Sequence, residues 1–119
     1  MTDTVRRILN ARVYDVAVRT PLDPMVRLSE RLGTPVLLKR EDLQPIFSFK
    51  IRGAYNRLAQ HSEVAHNAGV ICPSDGNHAL GAALSAQPTG TQAFAVIPVT
   101  TPSFKVDADR HLLPHVGPP

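Results

Sequence analysis

Gly69-Val70-Ile71-Cys72-Pro73-Ser74-Asp75-Gly76-Asn77-His78-Ala79-Leu80-Gly81-Ala82-Ala83-Leu84-Ser85-Ala86, with Phe94-Ala95-Val96-Ile97-Pro98-Val99 beyond it, reads as strand, turn, helix, strand. Short apolar runs bounded by turn residues suit buried strands, and a long alanine-rich segment without proline suits a helix. A helix between two strands is a crossover connection, which pairs the strands parallel and right-handed.

The same alternation extends towards the N-terminus. Ile51, Ala54, Tyr55 and Leu58 repeat at helical spacing, with Ser48 placed to cap the helix start. Pro35-Val36-Leu37-Leu38-Lys39 reads as a buried strand, and Arg40 to Phe47 as a polar loop broken by Pro45. Before it a helix is punctuated by Asp23 as cap, Pro24 in its first position and Gly33 just past its end; Met25, Leu28 and Leu32 share one face. Thr20-Pro21-Leu22 is extended, because the residue before proline avoids helical angles. Ala11 to Val16 is readable as a short helix or as an extended arm. Thr101-Pro102 opens a last helix, Ser103 to about Arg110; His111 to Pro119 has three prolines and no pattern and is expected to be disordered.

The predicted fold class is therefore α/β, a partial parallel sheet flanked by helices, with strands near Val36, Val70 and Val96. In such sheets ligands bind beyond the carboxyl ends of the strands. Two loops are placed there, Arg40–Phe49 and Pro73–Gly76, and both lead into helix starts where backbone N–H groups favour anions.

Composition narrows the function. The chain has 119 residues, 43% apolar and 19% charged, which suits one globular domain and not a disordered chain. No apolar run reaches membrane-spanning length, and Met1 to Arg7 lacks the apolar core of a signal peptide. Cys72, the one cysteine, rules out an internal disulfide and suits a reducing cytoplasm. Residues 1–60 carry eleven Lys/Arg against six Asp/Glu, and residues 61–119 two against four. The arginines are scattered and aromatic residues few, so the basic half is read as a solvated surface with local anion binding, and no nucleic-acid or membrane partner is expected.

Several signatures fail. No G-x-G-x-x-G is present, and Gly76-x4-Gly81 is followed by Ala82 where a phosphate loop requires lysine. No G-x-S-x-G elbow occurs, and His61, His66, Cys72 and His78 lack zinc spacing, so no metal is expected. Two segments keep chemical interest. Lys50 stands at a helix start between Phe49 and Ile51, a setting that disfavours an ammonium and favours the neutral amine of Schiff-base chemistry; taken alone it reads better as a solvated surface lysine. Ser74-Asp75-Gly76-Asn77-His78 could hold a carboxylate at a helix start, or be an ordinary capping turn.

Together the segments are more specific. Thr20-Pro21-Leu22, Lys39-Arg40-Glu41-Asp42-Leu43-Gln44-Pro45 and Ser48-Phe49-Lys50-Ile51-Arg52-Gly53-Ala54 resemble the biosynthetic threonine dehydratases. Those are pyridoxal-phosphate lyases of the tryptophan-synthase-beta-like family, which deaminate L-threonine to 2-oxobutanoate and ammonia for isoleucine synthesis. Ser74 to Gly81 is similar to their asparagine loop, and Val96 to Pro102 and Lys105 to Ala108 to the segment after it. The resemblance covers roughly residues 11–110 and implies the N-terminal part of a fold-type II catalytic domain, residues 1–110, followed by a divergent tail, residues 111–119.

It also implies roles. Lys50 would carry pyridoxal 5'-phosphate and move the Cα proton, Phe49 would pack beside the cofactor, and Asn77 would bond its ring oxygen. Ser74, Gly76, Asn77 and His78 would surround the carboxylate of an amino-acid substrate, L-threonine or L-serine. Asp75 stands where the dehydratases usually have alanine, and Leu80 where they usually have glutamine. The family's glycine-rich phosphate loop falls past Pro119, so the tail is read as a truncated or frame-shifted end and the chain as inactive alone. The family is oligomeric. A relative with serine/threonine dehydratase or serine racemase chemistry, and a non-catalytic gene remnant, are the alternatives.

Overall fold

The structure, a computed structural model, describes residues 2–74, 76–103, 107 and 116–117. Its centre is the unit expected between residues 69 and 99. Strands β3 (Val70–Pro73) and β4 (Ala93–Val96) pair parallel, Val70 opposite Ala93 and Pro73 opposite Val96. Helix α5 (Asn77–Ala86) is the crossover between them. Its Ala79, Ala82, Ala83 and Ala86 pack on Cys72, Ala93, Ala95 and Ile97. Side chains this small let the helix lie close on the sheet, which is why the alanine run is there.

Helix α3 (Lys50–Leu58) lies beside α5 and buries Ile51, Ala54, Tyr55 and Leu58, the four residues its periodicity selects. A second cluster, Ala17, Ile46 and Ile51, meets Leu80 and Leu84 from α5. Gly81 marks the closest approach: a Cβ there would lie 3.4 Å from the Lys50 carbonyl and from Ile46 Cδ1.

The N-terminal half differs from the sequence reading. Strand β2 (Leu37–Lys39) is not part of the parallel sheet. It pairs antiparallel with β1 (Leu22–Pro24), Leu22 opposite Lys39 and Pro24 opposite Leu37, and all three of its residues are exposed. Asp23 and Pro24 belong to this ribbon and do not start a helix. Helix α2 (Val26–Leu32) begins after Met25, whose carbonyl accepts from the Ser29 hydroxyl, and Asp23 instead accepts from Arg40 Nη1 at 2.8 Å. Gly33 closes α2 with φ +63°, the left-handed turn that glycine permits. Met25, Leu28 and Leu32 are exposed, so the apolar face of α2 is not buried by the described residues.

Two helices were not anticipated. One is α1 (Asp3–Leu9), which buries nothing. The other is α4 (Glu63–Ala68), where Ser62 caps the start by accepting from the Ala65 N–H at 3.3 Å. Within Ala11 to Val16 a single 3-10 turn forms, Val13–Asp15. Ser103 and Asp107 are helical, and the remainder of the expected last helix lies outside the described residues. Of residues 111–119, Val116–Gly117 forms a short strand, β5, parallel to β4, and no feature of the sequence signals it. No helix among the described residues is long and apolar enough to cross a membrane.

Candidate functional site

The loop from Arg40 to Phe49 is held by the Glu41 carboxylate. Its oxygens accept from Arg52 Nε at 2.8 Å, Arg52 Nη2 at 2.9 Å, Thr20 Oγ1 at 2.6 Å and Gln44 Nε2 at 3.1 Å. This array, the Arg52 guanidinium above all, holds the Glu41 carboxyl at about 2, while partial burial opposes the shift. Gln44 is 1% exposed, yet it is satisfied: the Val18 N–H donates to its Oε1 at 3.0 Å, and its Nε2 donates to the Val18 carbonyl at 2.9 Å. Arg40 braces the other end of the loop between Asp23 and Asp42.

From this anchored base the chain turns towards Lys50. Ile46 is buried, Phe47 takes φ +56°, and the Ser48 hydroxyl accepts from the Lys50 N–H at 3.3 Å. The expected cap at Ser48 does not form as such: Phe49 is the N-cap of α3 and makes no side-chain cap bond, and Ser48 instead meets the N–H of the first helical residue. Lys50 is exposed, and its Nζ lies 5.1 Å from the centre of the Phe49 ring. No hydrogen bond or ion pair engages that amine among the described residues. Lys39 differs, since its Nζ donates to the Thr20 carbonyl.

The second segment meets the first through helix packing. Ser74 follows β3 and donates its N–H to the Val96 carbonyl at 3.1 Å. The first helical bond of α5 runs from the Leu80 N–H to the Gly76 carbonyl at 3.2 Å, which leaves the N–H groups of Asn77, His78 and Ala79 outside the helix ladder. Asn77 lies one turn before Gly81 on the same helix face, about 6 Å along the axis. Because Gly81 lies against the Lys50 backbone, the first turn of α3 packs on the middle of α5, the helix that follows β3.

Asn77 and His78 are exposed, and Ser74 and Gly76 half-buried. The Asn77 amide is engaged by no hydrogen bond among the described residues. Asp75 lies outside the described residues. Leu80, the other departure from the dehydratase pattern, is half-buried against the Ala17–Ile46–Ile51 cluster, so it serves packing. A concavity of about 970 Å3 lies elsewhere, between α1 and the end of α3, and none of these residues lines it.

These features fit an aldehyde cofactor carrying a phosphate. The exposed Lys50 amine can condense with the aldehyde, the Phe49 ring lies beside that amine, and the first N–H groups of α5, outside the helix ladder, can meet an anion. The sequence reading missed the roles of Thr20, Glu41, Gln44 and Arg52. The one signal was that Glu41 and Gln44, three apart, share a face of a single turn and precede a buried segment.

Residues 13–115 match a protein family described as pyridoxal-phosphate dependent enzyme. The chain is 56% identical over 116 residues to the biosynthetic L-threonine dehydratase of Burkholderia multivorans, covering 98% of this chain and 22% of that protein. The processed form of threonine deaminase isoform 2 from Solanum lycopersicum superposes with a TM-score of 0.89 at 46% identity, over 97% of this chain and 34% of that one. Maize serine racemase superposes with a TM-score of 0.86 at 32% identity, over 94% of this chain and 34% of that one. The chain thus spans about a fifth of the curated dehydratase and a third of the solved structures.

Proposed function

The chain belongs to the pyridoxal-phosphate-dependent enzyme family, and from that premise we propose that it is the N-terminal, lysine-bearing part of the catalytic domain of an L-threonine dehydratase. The reaction converts L-threonine to 2-oxobutanoate and ammonia, a step towards isoleucine, in the cytoplasm. The exposed Lys50 amine, on the first turn of a helix whose backbone packs against Gly81 of α5, carries this reading. The dehydratase is favoured over a serine racemase because identity to the former reaches 56% and to the latter 32%.

Bound pyridoxal phosphate supplies an electron sink for the pair left at Cα when its proton departs. The protein's part is position. Lys50 Nζ would hold the cofactor and would serve as the base that takes the Cα proton. Phe49, whose ring lies 5.1 Å from the Lys50 amine, would pack beside the cofactor. The Asn77 amide would orient the cofactor by a hydrogen bond, as the resemblance implies. Open N–H groups at the start of α5, with Ser74, Gly76 and His78 around them, hold the substrate carboxylate against the positive end of the helix dipole.

Borohydride reduction after addition of pyridoxal phosphate tests the reading. Peptide mass mapping is expected to place the fixed adduct at Lys50, with Lys39 largely unmodified because Thr20 engages its amine. Equal labelling of Lys39 and Lys50 would remove the assignment. The racemase reading is tested on the assembled catalytic domain, where D-serine formed from L-serine in excess over pyruvate would support it.

A further inference from the structure

We propose that Glu41 is a positioning residue for Lys50, acting through Arg52; this rests on the assignment of Lys50 as the cofactor-bearing lysine. The two residues stand in different parts of the chain. Glu41 opens the loop that leads to Lys50, and Arg52 lies two residues past it, within the first turn of α3. The two parallel bonds between them, 2.8 and 2.9 Å, therefore close a ring of backbone with Lys50 inside it. A bidentate guanidinium–carboxylate pair fixes both distance and orientation, which a single-point contact does not.

Residues two apart on a helix lie about 200° apart around its axis, so Arg52 is pinned on a different side of α3 from Lys50. Arg52 Nη2 also reaches the Val18 carbonyl at 3.1 Å, and Thr20 Oγ1 joins Glu41. The same stretch of backbone that Gln44 grips from the loop is thus gripped from the helix. Across α3, the Lys50 carbonyl is against Gly81. The first turn of α3 is thus held by two contacts, the Glu41–Arg52 ion pair and the packing of its backbone on Gly81 of α5. Loosening the ion pair lets that turn rotate and moves the root of the Lys50 side chain relative to Asn77.

Neither Glu41 nor Arg52 has its charged group at the amine, so both act at a distance. The pair is 16% and 23% exposed, sheltered enough to resist screening by salt. Arg52 cannot be replaced by lysine without losing the fork.

The test uses the full chain with pyridoxal phosphate and borohydride, and reads the rate of adduct formation at Lys50 by peptide mass mapping alongside far-ultraviolet circular dichroism. The variants are Glu41→Gln and Arg52→Lys. Expected is roughly ten- to hundredfold slower labelling at Lys50 with the helical signal retained, as for a reacting group displaced by about an ångström. The exchanged pair, Glu41→Arg with Arg52→Glu, is expected to recover part of the rate, which a general loss of packing would not do. Wild-type rates at Lys50 in Arg52→Lys overturn the inference while leaving the Lys50 assignment intact. A wild-type chain that labels elsewhere overturns that assignment first. Should Glu41→Gln unfold, Arg52→Lys, which keeps charge and stem, decides alone.

Discussion

A single carboxylate does most to shape the candidate site, and its ionisation gives a stability prediction with a definite sign. Glu41 has an ordinary value of 4.5 and is held at about 2 in the folded chain. A folded value below the unfolded one means the unfolded chain binds the proton more readily. The contribution is therefore fully present above about pH 4.5 and is lost as pH falls towards 2. Urea midpoints measured from pH 6 down to 2 are expected to fall more steeply for the wild type than for Glu41→Gln. At neutral pH that variant should be less stable by about 1–3 kcal/mol, the range for a charged hydrogen-bonded group left without its partner. A pH profile identical in both proteins would show that the pair contributes nothing to folding. Lys50 drew notice in the sequence as a cation between two apolar residues at a helix start, but its proposed role came from the resemblance of Ser48 to Ala54 to the dehydratases. Glu41 drew none, because next to Asp42 it looks like one of two solvated charges. Its partners Thr20 and Arg52 are reached only by folding.

The elements most legible in advance were those whose side-chain spacing reports burial. Helix α3 buries the four residues its period selects, and α5 runs from Asn77 to Ala86 as its composition implies. The ribbon of β1 and β2 was misread because a short apolar run carries no record of whether it is covered; Leu37 and Leu38 look alike buried or bare. Helix α4 was missed for its length: six residues offer too little periodicity, leaving only the Ser62 cap. Contact between α3 and α5 at Gly81 leads to an asymmetric prediction. A methyl group there sits at ordinary contact, 3.4 Å from Ile46 and the Lys50 backbone. Alanine also favours helix over glycine by about 1 kcal/mol. Gly81→Ala is thus expected to be neutral or slightly stabilising. Gly81→Leu must push α5 away from α3, at a cost of about 1–3 kcal/mol, and should also slow adduct formation at Lys50. Thermal melts of the two variants check the first part; a leucine variant as stable as wild type contradicts the packing argument.

At the scale of the molecule the layers do not close. A compact chain of this length has a radius of gyration of about 13.5 Å, whereas this one has 17.1 Å and extents of 50 × 41 × 19 Å. A folded monomer of this mass exposes about 6,300 Å2, against 8243 Å2 here. The thin dimension explains both: α5 covers one face of the β3–β4 sheet, while on the other Ile71, Phe94 and Val96 are 72%, 37% and 36% exposed. Parallel sheets are stable when both faces are covered. Leu22, Val26, Leu32 and Leu37 add a second bare apolar surface around the antiparallel ribbon, each more than half exposed. Apolar patches beyond a few hundred Å2 drive association. The isolated chain is therefore expected to sediment as a concentration-dependent mixture of oligomers and to bind a hydrophobic dye. Ile71→Lys with Val96→Lys should reduce both effects, because lysine on an open sheet face blocks stacking while the α3–α5 contact at Lys50 lies on the opposite side of the sheet. A wild-type chain that sediments as a single monomer over a wide concentration range, with no dye binding, would show that these faces are covered in solution.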